Sequence, residues 1–231
     1  MQLDRTLISD LPVFAGLTPE ALDDILGRAR SQHYPKNDSV FTQDEPAHSF
    51  FVLLHGRLRV SQVTPEGQQI VMRFVSPGEM FGVAMALRRG TYPATATAVV
   101  DSLSLVWPTE SWPELVAAHP ALAVNLMESM GARLQEAHTR LREISTEEVE
   151  RRIAHAVVRL AEESGRATPK GRLIDFPLSR QDIAEMTGTT LHTASRIMSA
   201  WEAQGLVEGG RQRIVVRDLP RLKAMAEPAP D

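Results

Sequence analysis

Between Leu178 and Val207 the chain reads LSRQDIAEMTGTTLHTASRIMSAWEAQGLV. Arg196 in this run can donate two parallel hydrogen bonds to guanine O6 and N7. Ser195 offers a hydroxyl, and His192 a donor or a tautomer-dependent acceptor. Arg180, Thr190 and Thr193 are suited to phosphate oxygens, which position a protein on a duplex without specifying sequence. Arg211 and Arg213, just beyond Gly209-Gly210, are two further phosphate donors.

Such groups act together only if the backbone gathers them. Ser179 with Asp182 predicts a helix start, with Ile183 and Ala184 on the buried side of Arg180 to Met186. Gly188 stands where a tight turn between helices needs positive φ. Thr190 can cap a second helix from Leu191 to about Ala203, with Ala194, Ile197, Met198 and Trp201 inward. His192, Thr193, Ser195, Arg196 and Ser199 then face outward. Two helices joined by a short glycine-bearing turn form a helix-turn-helix, whose second helix can enter a major groove. Leu206–Glu208 and Arg213–Val216 read as a hairpin with Arg211 and Arg213 at its tip, a wing. A purely structural αα-hairpin would not require Arg, Ser, Thr and His together on one exposed face.

Upstream, Pro120 to Ser145 carries a helical pattern with heptad spacing. Met127, Leu134 and Leu141 lie on one row, Met130, Ala137 and Ile144 on the next, extendable back to Ala123. Arg133, Gln135, Glu136, Arg140, Arg142 and Glu143 are assigned to the outer face. This is the pattern of a two-stranded coiled coil at a dimer interface; a helix packed on its own β domain is the plainer alternative. Ser145-Thr146-Glu147-Glu148 reads as a capping box that opens a new helix to about Ser164, with Val149, Ile153, Ala156, Val157 and Leu160 on one stripe. A polar stretch, Gly165 to Arg172, closes that helix, and Leu173–Pro177 is a strand. Near the other end, Thr18-Pro19-Glu20 starts a helix to about Arg30. From Ser31 to Pro108 the texture is β: Val40-Phe41, Phe50–Leu54, Leu58–Val63, Ile70–Val75, Ala94–Val100 and Leu103–Trp107, separated by turn residues. Short strands at this spacing predict a sandwich or barrel.

The fold class expected is α+β: an N-terminal β-roll of jelly-roll type, a long dimerisation helix and a C-terminal winged helix-turn-helix. Residues 1–120 form the first part, 121–144 the dimerisation helix and 145–231 the last. The 231 residues suit two small domains. Residues 1–144 hold 12 basic against 16 acidic residues and residues 145–231 hold 13 against 13, so bulk charge does not mark a nucleic-acid coat. Cysteine is absent, which excludes disulfides, thiolate zinc sites, cysteine nucleophiles and thiolate-held clusters. Apolar runs such as Phe50–Leu54 are far short of a membrane span, and the polar start, Met1 to Asp10, does not look like a signal peptide. A cytoplasmic location is expected.

Leu11 to Ala224 resembles the Crp/Fnr-type transcription regulators. The resemblance rests on Phe41-Thr42-Gln43-Asp44-Glu45-Pro46, the Leu53–Val60 strand pair about Gly56, Pro77-Gly78-Glu79 and the Leu191–Ala203 helix, in that order. It implies a cyclic-nucleotide-binding-type β-roll, a homodimer, a palindromic DNA operator and RNA polymerase as a partner. In the family a Glu-x-x-Ser-Arg or Arg-Glu-x-x-x-Arg pattern contacts bases; this sequence keeps Ser195 and Arg196 but carries His192 where Glu usually stands. The half-site expected is related to the family's TTGAT element and altered at the position Glu reads.

In the cyclic-AMP members a Gly-Glu pair and an Arg-Ser pair hold ribose and phosphate. Here those positions are Gly82-Val83 and Tyr92-Pro93, so an anionic ligand would face Met80, Val83, Met85, Tyr92 and Pro93 without a charge partner. Cyclic AMP is therefore not expected, and the lack of cysteine removes an iron–sulfur cluster. Asp44-Glu45-Pro46-Ala47-His48, Thr64-Pro65-Glu66-Gly67-Gln68 and Tyr92-Pro93-Ala94-Thr95-Ala96 look like the nitric-oxide-responsive denitrification regulators (Dnr/NnrR-like). That resemblance implies haem, with His33, His48 and His55 as candidate ligands beside Tyr92, Met80 and Met85; a histidine at a strand edge is equally a surface residue. A non-haem organic effector, or activity without ligand, is the alternative. A cupin-like metal protein fits poorly, because His48 and His55 are seven apart and no His-x-His pair or acid/base set exists. No enzymatic activity is expected. A docking module that has lost DNA binding is discouraged by Ser195, Arg196, Arg211 and Arg213.

Overall fold

The computed structural model describes residues 4–84 and 89–227. The chain divides into two compact units, one of residues 1–66 with 72–136, the other of residues 67–71 with 137–231.

The first unit is built on two four-stranded sheets. One runs β1 (Arg30–Tyr34), β8 (Ser102–Pro108), β3 (Ser49–His55), β6 (Met80–Phe81). The other runs β2 (Ser39–Phe41), β7 (Thr95–Ala98), β4 (Leu58–Val63), β5 (Gln69–Val75). Strand β3 explains the continuous apolar run Phe50–Leu54. Its side chains alternate between two cores, Phe51 and Leu53 facing one, Phe50 and Val52 the other. The first core contains Phe41, Phe51, Phe81 and Tyr92. The second gathers Phe14, Leu22, Ile25, Trp107, Leu115, Leu122 and Leu126, so that α1 (Pro19–Gly27), α2 (Trp112–Ala118) and the start of α3 (Ala121–Thr146) cover that face. Buried Trp107 donates its indole N–H to the Ile25 carbonyl at 2.8 Å, satisfying a group that would otherwise be stranded.

In the second unit α4 (Val149–Ser164) buries Ile153, Ala156, Val157 and Leu160. A small antiparallel sheet follows the order β11 (Val207–Gly210), β12 (Arg213–Val216), β10 (Gly171–Ile174), β9 (Gly165–Thr168). The remaining helices are α5 (Arg180–Thr187), α6 (Leu191–Ala203) and α7 (Leu219–Ala226).

Three local expectations are corrected. No capping box forms at Ser145: its hydroxyl donates back to the Leu141 carbonyl at 2.7 Å, as Thr146 does to Arg142 at 2.9 Å. Bonding to the preceding turn carries α3 on to Thr146, and α4 opens at Val149 with no side-chain cap. The polar stretch after α4 contains strand β9, paired with β10 from Gly165↔Ile174 to Thr168↔Gly171, so the strand expected at Leu173–Pro177 starts earlier and ends at Ile174. Arg133 and Glu143, assigned to the outer face of α3, are bonded within the protein. Arg133 donates to the Met80 carbonyl at 2.6 Å, and Glu143, 4% exposed, takes the Arg159 guanidinium at 2.5 and 3.1 Å. Both lie where α3 is covered, so each meets an opposite charge or a carbonyl instead of water.

Candidate nucleic-acid interface

The α5–turn–α6 unit is set by capping at every junction. Ser179 and Asp182 form the reciprocal box that starts α5, with Ser179 N–H to the Asp182 carboxylate at 2.8 Å and Asp182 N–H to Ser179 Oγ at 3.0 Å. Gly188 ends α5 in the left-handed region at φ 62°, a conformation that a β-carbon would strain. Thr190 caps α6, its hydroxyl accepting from Thr193 N–H at 3.2 Å.

Two braces came from outside the motif and left no local signal in the sequence. Arg152 of α4 donates to the carbonyls of Thr187 (3.0 Å), Gly188 (3.5 Å) and Glu147 (3.1 Å), which holds the turn from behind. Trp201 is fully buried and donates to Glu150 at 2.9 Å, fixing α6 against α4.

The predicted side chains separate into two groups. Arg180 is committed to protein: its guanidinium reaches Glu202 at 2.8 Å, Ser199 Oγ at 3.1 Å and the Ser195 carbonyl at 3.4 Å. It braces α5 on α6. Thr190 and Thr193 hydroxyls lie 3.0 Å apart at the cap. His192, Arg196 and Ser199 are exposed on α6, and Ser195 and Thr193 half-exposed. Arg211 is exposed at the turn between β11 and β12, where Gly210 pairs with Arg213. Arg213 lies 3.6 Å from Glu208, which also takes Lys170 at 3.0 Å. Lys170 and the nearby arginines hold the Glu208 carboxyl below its ordinary range, so it stays charged and offsets part of the wing's positive charge.

The heptad residues of α3 also divide. Met127, Leu134, Leu141 and Ile144 are 63, 55, 62 and 49% exposed, and Ala137 is exposed. Met130 packs at the edge of a core and Ala123 is half-buried. The stripe that the spacing predicts is therefore present as an uncovered apolar row. The plainer reading holds at the start of α3, where Leu122 and Leu126 pack on the β unit.

Of the five residues expected to line an effector pocket, the four that are described do not share one core. Met80 belongs to the core under α1 to α3 and Val83 packs against it, whereas Tyr92 belongs to the core between the sheets. Pro93 is half-buried with its carbonyl taken by Gln62, and Met85 lies outside the described residues. Strand β3 separates the two cores, which is why one pocket cannot hold them all. The Tyr92 ring stacks on Phe41 at 3.9 Å; its hydroxyl donates to the Ser49 carbonyl at 2.7 Å and accepts from Ser49 N–H at 3.2 Å. Burial pushes its pKa up, so it stays neutral. Gly82, φ 68°, is packed so tightly that a β-carbon there would lie 2.7 Å from Phe51. The described residues at the positions that hold ribose and phosphate in the cyclic-AMP members, Gly82-Val83 and Tyr92-Pro93, carry neither a carboxylate nor a cation.

The three histidines do not fit a haem held inside the roll. His33 on β1, His48 before β3 and His55 at the end of β3 are all exposed. His48 lines a surface cleft with Arg28, Arg30 and Pro108, and no His/Asp/Glu metal cluster occurs among the described residues.

Together these features define a class: a winged helix-turn-helix protein that carries a β-roll of cyclic-nucleotide-binding type. Residues 31–119 match the cyclic nucleotide-binding domain family and residues 151–225 the Crp-like helix-turn-helix domain family. The chain is 30% identical over 215 residues to the cyclic AMP receptor protein of Thermus thermophilus, covering 93% of this chain and 96% of that one. It is 27% identical to the transcriptional activator protein FnrA of Stutzerimonas stutzeri over 212 residues, 92% and 86% of the two chains. The solved structure of FixK2 from Bradyrhizobium japonicum shares the fold, with a TM-score of 0.75 at 24% identity over 87% of this chain and 99% of that one. The chain belongs to the Crp/Fnr family of DNA-binding transcription regulators. Among the described residues no helix is long and apolar enough to cross a membrane.

Proposed function

We propose that this chain regulates transcription as a homodimer on a palindromic operator, with no enzymatic step and with RNA polymerase as its partner. The observation that carries the reading is the exposed α6 face, where Arg196 and His192 stand in water beside a wing bearing Arg211 and Arg213. The uncovered row Met127, Leu134, Leu141 and Ile144 supports pairing of two α3 helices. Two-fold symmetry then puts two copies of α6 about one helical turn apart, ~34 Å. In each half-site Arg196 reads guanine, and His192 changes the base preferred where the family's Glu would accept from cytosine. Arg211, Arg213, Thr190 and Thr193 supply phosphate contacts, and Arg180 positions α6. Selection from random duplexes tests this: enrichment of an inverted repeat bound by a dimer supports it, and a monomer that selects nothing rejects it.

For the sensory unit the reading favoured is activity without cyclic AMP, haem or a cluster. The four rings Phe41, Phe51, Phe81 and Tyr92 pack together in the core between the sheets, with centroids 3.9 to 6.1 Å apart. Operator affinity measured with no added effector tests this directly. The nitric-oxide reading keeps only the resemblance at Asp44–His48, Thr64–Gln68 and Tyr92–Ala96. A stoichiometric haem band that shifts with nitric oxide would restore it; a colourless protein would leave an organic effector or none.

A further inference from the structure

A cleft of about 360 Å³ opens on the β unit where the end of α1 leads into β1, beside the start of β3. Its walls include Arg28, Ala29, Arg30, His48, Ser49 and Pro108. They do not include Gly82, Val83, Tyr92 or Pro93, the positions tied to cyclic nucleotides by resemblance. Arg28 is already engaged: Glu114 takes its guanidinium at 2.8 Å, and Asp24 lies at 3.5 Å from it and meets His119 at 2.8 Å. Arg30 is exposed, and its guanidinium has no carboxylate or carbonyl partner among the described residues. The His48 ring and the Ser49 hydroxyl are likewise without partners among them, although their backbones are fixed. His48 donates its N–H to the Pro46 carbonyl at 3.1 Å and accepts from Thr109 N–H at 2.8 Å, and both backbone groups of Ser49 meet the Tyr92 hydroxyl. Arg30 pairs with Val106 and Ser49 with Pro108, two residues along β8, so both side chains stand on one face of that sheet.

Three donors that the protein leaves unused therefore converge on one concavity, with one positive charge that no carboxylate neutralises. A concave wall focuses the field of such a charge. A guanidinium matches a carboxylate with two parallel hydrogen bonds, and a hydroxyl and an imidazole N–H can take the remaining lone pairs. Ala29 and Pro108 offer apolar surface beside them. The volume lies at the small end of the ~300–1,000 Å³ usual for ligand sites, which suits one small molecule. We propose that this cleft binds a small organic carboxylate, with Arg30 as its charged anchor and His48 and Ser49 as further donors. The inference goes beyond the reading of α6 as a DNA-binding helix and does not depend on it.

Isothermal titration calorimetry on the full chain without DNA tests it, with benzoate as the probe and two comparison molecules. Benzamide keeps the flat apolar body without the charge; inorganic phosphate keeps a charge without the carboxylate. Benzoate should bind once per chain, and benzamide and phosphate at least tenfold more weakly. Arg30→Ala should weaken benzoate about tenfold or more, the effect of losing a charge-assisted pair, with an unchanged thermal midpoint because Arg30 is exposed. Arg30→Lys should not restore it, since an ammonium lacks the fork. Ser49→Ala should cost less, about two- to tenfold. Arg166→Ala, an exposed arginine of the other unit, should bind benzoate as the wild type does. The inference is overturned if benzoate does not bind, if benzamide or phosphate binds as tightly, or if Arg30→Ala retains wild-type affinity. Equal weakening by Arg166→Ala would also overturn it, because the attraction would then belong to surface arginines in general.

Discussion

The space between the β-roll sheets and the outer face of α6 are the two places where members of this architecture could meet a ligand, and they are finished differently. Between the sheets, described residues at positions that could have served a ligand are engaged with protein. Tyr92 exchanges hydrogen bonds with the Ser49 backbone and Gly82 is pressed against Phe51. On α6 the buried side is equally complete, through Trp201 and the Arg180–Glu202 pair, yet His192 and Arg196 are left to solvent. A rigid element that leaves strong donors exposed has binding capacity; a satisfied interior has stability instead.

The largest effect separating the two regions should come from Phe41→Ala. Phe41 is buried and stacks on Tyr92 at 3.9 Å with Phe51 and Phe81 beyond, so truncation should cost about 3–5 kcal/mol in urea unfolding of the β unit. A loss below about 1 kcal/mol would show that the site collapses easily, contrary to a tightly packed ring cluster.

Next in size is Arg196→Ala. A bidentate contact to guanine is worth about 1–3 kcal/mol of discrimination, so operator affinity should fall by that much per half-site while the thermal midpoint stays put. Arg196→Lys should not restore it, because a single ammonium cannot reproduce the guanidinium fork. Equal weakening on operator and random DNA would mean that Arg196 touches phosphate, and the base assignment would fail.

The contrast between the regions also marks what the sequence made legible. The helix-turn-helix could be read because its signals are local: the Ser179–Asp182 box, Gly188 at φ 62° and the Thr190 cap act within four residues of the helix ends they set. Strand β4 was read at its observed bounds for the same reason, as a run between two turns. Arg152 was missed because it braces a turn 35 residues away, and β9 because its residues are too exposed to alternate. The pocket failed for a third reason. Met80 and Tyr92 are near in sequence terms, but Met80 and Phe81 of β6 face opposite sides of their sheet, so Met80 enters one core while Phe81 and Tyr92 share the other. The Ser145 capping box was a motif whose hydroxyl had a competing acceptor one turn back.

A pH experiment sharpens the β-roll side. Glu79 is half-buried; burial acts to raise its pKa, but Arg73, the Ser76 N–H and Arg133 outweigh it and hold the carboxyl below its ordinary range. Arg133 itself is pulled down to about 10 by burial and the nearby Arg73, and remains charged at neutral pH. A depressed carboxyl contributes stability that is complete above its unfolded value and is lost as pH falls through the folded one. Unfolding of the wild type should therefore become easier as pH drops below about 4.3. Glu79→Gln should be less stable at neutral pH and should converge with the wild type in acid. Parallel curves at all pH values would remove Glu79 from the acid response.

The smallest effect tests the wing. Arg211 is exposed and carries a full positive charge, whereas the charge of Arg213 is shared with Glu208 at 3.6 Å. If Arg211 meets one phosphate in each protomer, Arg211→Ala should remove about two counterions' worth of the salt slope, roughly 0.9 per phosphate. Affinity at moderate salt should fall equally for operator and random duplexes, because a phosphate carries no sequence. Arg213→Ala should alter the slope less, since its removal frees Glu208 to repel the backbone only as far as Lys170 leaves that carboxylate uncompensated. An Arg211→Ala variant that changed base preference without changing the slope would move the wing tip from the phosphates into a groove. The division of labour between a reading helix and a positioning wing would then have to be redrawn.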